Sequence, residues 1–144
     1  MNAERRPPDS RHRRPEGVTD ATVEALGALS KALETAERAR GALYDFHQLT
    51  GSADLALDDA VRLLRAAGHG RHAERVEREI LGRNVIPGHW TFQIVEEYNA
   101  TYYDVFRTIE GGIRQELAEG RDHLHEAEMK AARRTEGHPD HTAE

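Results

Sequence analysis

The chain has 144 residues and a mass of 16.2 kDa, room for one domain with a real core but not for two. It has no cysteine, which excludes disulfide scaffolds, cysteine zinc sites, iron–sulfur clusters and thiol catalysis. A net charge of -6 excludes a protein steered to nucleic acid by its overall charge, and no apolar run approaches the ~18 residues of a membrane span.

Residues 1–17 hold five arginines and three prolines with almost nothing apolar, the composition of a disordered tail. Arg11, Arg13 and Arg14 form a small basic cluster, read either as solubilising sequence or as an arm for acidic partners. No apolar stretch follows it, so no secretory signal is expected and the location expected is cytoplasmic.

The first helix is predicted over about 19–50. Thr19 suits the N-cap, with Val18 and Val23 as a hydrophobic staple. Leu26, Leu29, Leu33, Ala36, Arg40, Leu43 and His47 recur at spacings of three and four, a coiled-coil seam. The Thr50-Gly51 pair is expected to end it. A short helical hairpin follows, about 53–67 and 70–82. Ser52 caps its first arm, Gly68-His69-Gly70 separates the arms, and a turn runs from Gly82 to Gly88 around Pro87. The last helix is predicted over about 91–134. Its stripe is Val95, Tyr98, Tyr102, Val105, Ile109, Ile113, Leu117, Gly120, Leu124 and Ala127. The spacing changes phase at Gly111-Gly112, so a kink or local unwinding is expected there. Residues 135–144 carry no pattern and should fray. The fold expected is all-α: an antiparallel helical bundle of two long helices plus a short helical hairpin, one domain over 18–134.

The stretch Asn84-Val85-Ile86-Pro87-Gly88-His89-Trp90-Thr91-Phe92-Gln93-Ile94-Val95-Glu96-Glu97-Tyr98, with Glu126-Ala127-Glu128-Met129-Lys130, resembles small helical proteins of high-GC Gram-positive bacteria. The resemblance implies a cytoplasmic bacterial protein. It brings no activity and no site.

Nine histidines on a helical scaffold invite a metal reading. A di-iron bundle needs Glu-x-x-His on two helices, and none occurs here. Glu116, Glu119 and His123 would share one face of an unbroken helix and are the metal candidates, weighed against a solvated Glu116. His69 and His72, three apart, could share a surface ion. No P-loop, G-x-S-x-G or His-Glu-x-x-His is present. No catalytic residue and no cofactor are assigned.

Aromatic residues gather where the first helix ends and the last begins. His47, Trp90, Glu97, Tyr98 and Tyr102 are the ligand-binding candidates: polar groups on an aromatic wall. The plainer reading is a bundle end filled by large side chains with a satisfied Tyr–His hydrogen bond.

The hairpin is too short to cover both long helices. Val23, Leu26, Leu29, Leu33, Ile113, Leu117 and Leu124 are therefore expected to form the interface of a homodimer, completing a four-helix bundle. The function expected is a non-enzymatic, self-associating interaction or regulatory protein. The rival is a ligand- or metal-binding bundle, enzymatic or not, that uses the aromatic end or the Glu116/His123 face. Neither membrane nor nucleic acid is expected as a partner.

Overall fold

The computed structural model describes residues 7–143. The fold is all-α. The helices are α1 (Asp20–Ala66), α2 (Gly70–Glu79), α3 (Thr91–Tyr98), α4 (Asp104–Ala118) and α5 (Leu124–Arg133). A single π-helical turn, Asn99–Tyr103, joins α3 to α4. Among the described residues no strand forms, and Ile86 and His89 make one isolated bridge. No helix there is long and apolar enough to cross a membrane.

Thr19 caps α1 as its chemistry suggests: its Oγ1 accepts the Thr22 N–H at 3.2 Å. Three boundaries differ from the sequence reading. First, α1 does not stop at Thr50-Gly51 but continues to Ala66, so the first hairpin arm is the end of α1 and Ser52 caps nothing. A helical glycine costs ~1 kcal/mol relative to alanine, which a long helix tolerates. Gly68, at φ +85°, supplies the real stop.

Second, Gly111-Gly112 lies inside an unbroken α4. The phase change occurs upstream, where the Asp104 N–H bonds to the Asn99 carbonyl, an i→i+5 bond that takes up one extra residue. Third, the long C-terminal helix ends at Ala118, and α5 begins after Glu119 and His123, both at positive φ, with Gly120 between them at φ +75°.

The tertiary contacts divide the chain into two compact units. One unit comprises residues 36–104. There α3 lies antiparallel to α1: Thr91 meets His47, and the Tyr98 hydroxyl donates to the Ala36 carbonyl at 3.3 Å. The end of α1 and α2 form the expected hairpin, with Val61 and Ala73 buried. Arg65 pairs with both Glu77 oxygens at 2.6 and 2.8 Å, and Asp54 accepts the Gly82 N–H at 2.7 Å.

The other unit comprises residues up to Thr35 together with those from Val105 onward. Its core is Val23, Leu26, Ala118 and Leu124, with Val18 packed against it. Ser30 bonds to Glu110, so α1 and α4 run antiparallel here too. The segment expected as a disordered tail lies partly outside the described residues. From Pro7 onward it is tied down: Arg14 forms a two-pronged ion pair with Glu128 at 2.7 and 2.8 Å, and Arg121 donates to the Arg13 carbonyl. The acidic partners of Arg14 are therefore in its own chain.

Candidate functional site

The π turn shifts the register of the helical stripe by one residue. Continuous α-helix would carry the stripe from Tyr98 through Tyr102 to Ile109, Ile113 and Leu117. The extra residue moves burial one position later. It falls on Tyr103, Glu110 and Ala118, with Phe106 and Arg114 half-buried. Val105, Ile109, Ile113 and Leu117 are left between 37% and 56% exposed.

Side chains from α1 fit this register. The Tyr103 hydroxyl donates to Glu37 Oε1 at 3.1 Å, and the Arg40 guanidinium lies 4.4 Å from the Tyr103 ring centroid. Arg40 Nε donates to Asn99 Oδ1 at 2.7 Å, and Asn99 Nδ2 donates to the Tyr44 hydroxyl at 3.1 Å. Further along, Glu110 is 4% exposed and accepts from Ser30 at 3.0 Å and from Arg114 Nε at 3.1 Å. Arg114 also donates to the Gly120 carbonyl at 2.9 Å, stitching the end of α4. The buried acid on this helix is Glu110, not Glu116. Its sequence signal is Arg114 four residues on.

The inward positions define a flank. On α1 they include Leu26 and Ser30; on α4 they include Glu110, Arg114 and Ala118. One residue earlier is a rotation of about 100°. In an antiparallel pair, equal rotations bring residues of both helices to the same side. Ala25 and Leu29 therefore share a flank with Ile109, Ile113 and Leu117, and Leu33, one heptad after Leu26, borders it. Ala25 is exposed, and Leu29 and Leu33 are half-buried. Of the seven residues expected at a dimer interface, Val23, Leu26 and Leu124 are instead buried in the chain's own core, because α4 and α5 pack on them. Leu29, Leu33, Ile113 and Leu117 keep open surface.

The ligand candidates lie along the α1–α3 pair and the turns on either side of α3. His47 Nδ1 lies 2.6 Å from Oγ1 of the buried Thr91. Trp90 is half-exposed, and its backbone N–H donates to Gln93 Oε1 at 2.8 Å, which fixes the start of α3. Glu97 Oε1 is bound by His89 Nε2 at 3.0 Å; that carboxylate, helped by the Pro87 carbonyl, raises the His89 pKa above its ordinary value. Tyr98 and Tyr102 are ring neighbours at 5.4 Å, with Tyr102 half-exposed. A cleft of about 340 Å³ does open beside Trp90, lined by Thr50, Gly51, Asp54, Leu55, Arg83, Val85 and Thr91. Of the five candidates it takes only Trp90.

The metal candidates separate because α4 ends before Glu119. Glu119 and His123 stand in left-handed conformation outside any common helix face, and Glu119 lies 3.6 Å from Arg121. The rings of His69 and His72 are 6.3 Å apart. Among the described residues no group of three or more His, Asp or Glu is placed to hold a metal ion.

The chain matches no family model, no curated protein and no solved structure. Its chemistry has to be read from its own geometry.

Proposed function

We propose that this protein is a non-enzymatic, self-associating helical module that acts by binding a second copy of itself and through that assembly. The observation that carries the reading is the α1–α4 flank with its row Ile109, Ile113 and Leu117 open to water. Fully burying a Leu or Ile side chain contributes ~1.5–3 kcal/mol, and about half of that is unrealised at each of these positions. The thin core points the same way: among the described residues no large side chain is wholly buried. A cytoplasmic location belongs to this reading, and the cysteine-free sequence is in keeping with it.

Sedimentation equilibrium at about 20 μM, where a micromolar dimer is well populated, tests it. Wild type should run at twice 16.2 kDa. Ile113→Glu with Leu117→Glu should run as a folded monomer. A wild type that stays at 16.2 kDa overturns the proposal. Leu26 is unsuited to this test because it lies in the chain's own core.

A second reading rests on the cleft beside Trp90, whose apolar Leu55 and Val85 and charged Asp54 and Arg83 make a wall for a small molecule. Native mass spectrometry of the purified protein decides it: a retained mass lost in Trp90→Ala supports the reading, and a bare chain opposes it.

A further inference from the structure

The flank does more than mark a sticky surface. Its two helices differ in side-chain size. On α1 it alternates Ala25 and Ala32 with leucines. On α4 it is an unbroken row of large residues, Ile109, Ile113 and Leu117. Packing α4 on its own copy would set large against large, and packing α1 on its own copy would set alanine against alanine and leave voids. Interiors pack to crystal-like density, which favours large side chains opposite small ones.

We infer that the occupant of this face is a second copy arranged so that α1 of each chain packs on α4 of the other, about a two-fold axis running along the helices. This deepens the self-association proposed above and rests on it. The arrangement is an up–down four-helix bundle in which every neighbour is antiparallel.

The area agrees. The part of α1 in this unit and α4 each run about 15 residues, or ~23 Å, and two adjacent helices are ~20 Å wide. The footprint is roughly 450 Å² per copy and about 900 Å² in total, before counting the relief of the side chains. That lies just under the roughly 1,000 Å² threshold for a specific interface, and the relief of the side chains adds to it.

Heights along the bundle follow from the Ser30–Glu110 bond, which sets Ala25 level with Gln115 and Leu29 level with Gly111, so that Leu117 and Ile113 lie about 3 Å, well under one turn, from those levels. With the axis along the helices those levels are kept across the dimer. Ala25 of one chain therefore sits beside Leu117 of its partner, while the two copies of α1 stand on a diagonal about 13 Å apart, beyond the ~7 Å limit for a disulfide.

The native chain has no cysteine, so single cysteines report this directly. Ala25→Cys and Leu117→Cys are purified separately, checked for wild-type helicity, mixed and oxidised. The expected result is a disulfide-linked dimer in the mixture and none in either variant alone. Leu29→Cys with Ile113→Cys repeats the test at mid-helix. Cross-linking of Ala25→Cys alone would mean α1 on α1 and would overturn the inference. So would no cross-link in any sample while the wild type sediments as a dimer, which would put the interface elsewhere. A monomeric wild type fails the underlying self-association instead, and the two failures are distinct.

Discussion

Ser30 donates its hydroxyl to Glu110 Oε1 at 3.0 Å, with that carboxylate 4% exposed and also bound by Arg114. This contact fixes the rotation of α4: once Glu110 points at α1, Ile109 and Ile113 must point away from the core. Glu110→Ala takes from Ser30 and Arg114 Nε the acceptor they share and should cost about 2 kcal/mol, the scale for hydrogen bonds to a charged group. Ser30→Ala should cost about 1 kcal/mol. Urea denaturation at fixed protein concentration measures both; equal effects would contradict this hierarchy.

Two glycines of the C-terminal half should respond in opposite directions. A Cβ on Gly112 meets nothing within 4 Å, and the residue sits mid-helix, so Gly112→Ala should stabilise by up to about 1 kcal/mol. A Cβ on Gly120 would lie 2.6 Å from Gln115 Oε1, at φ +75°, so Gly120→Ala should lower Tm. Thermal melts by circular dichroism give both signs.

His47→Ala should destabilise the fold by ~1–3 kcal/mol, because buried Thr91 loses its side-chain partner. Thr91→Val removes the same bond from the other side, and the double variant should cost less than the sum of the singles. An unchanged melting temperature in His47→Ala would mean that the bond carries no stability.

The Glu97 carboxylate raises the His89 pKa, so the folded state holds this proton more tightly than the unfolded chain. The resulting stability is fully present below the ordinary histidine value of 6.5 and is lost as pH rises through the raised folded value. An NMR titration of His89 should show a midpoint above 6.5 that falls toward 6.5 in Glu97→Gln. A midpoint at or below 6.5 in wild type would remove the ion pair from solution.

Much of the helical framework is legible in the sequence. Thr19 caps, Gly68 stops and Gly82 and Gly88 turn because each supplies a local hydrogen bond or a left-handed backbone that the neighbouring residues need. Gly51, Gly111 and Gly112 mislead for the converse reason: glycine makes a break cheap but does not force one, and helix continues wherever its flanks are packed. The candidate sites were less legible. Glu116, Glu119 and His123 share a face only if the helix runs on, and Trp90 lines a cleft that His47, Glu97, Tyr98 and Tyr102 do not reach.

The sequence by itself determined that the chain is helical, where its first helix begins, and that more aliphatic surface exists than one short hairpin can cover. These follow from composition, caps and a period of three and four, all local properties. Only the tertiary structure decided which side of α4 turns inward. The Ser30–Glu110 bond and the packing of Ala118 with Val23 and Leu26 select that side, while the one extra residue at Asn99–Tyr103 shifts the helical register of the sequence stripe. A π turn is selected by long-range partners across the helix pair, and no spacing rule within one segment contains them.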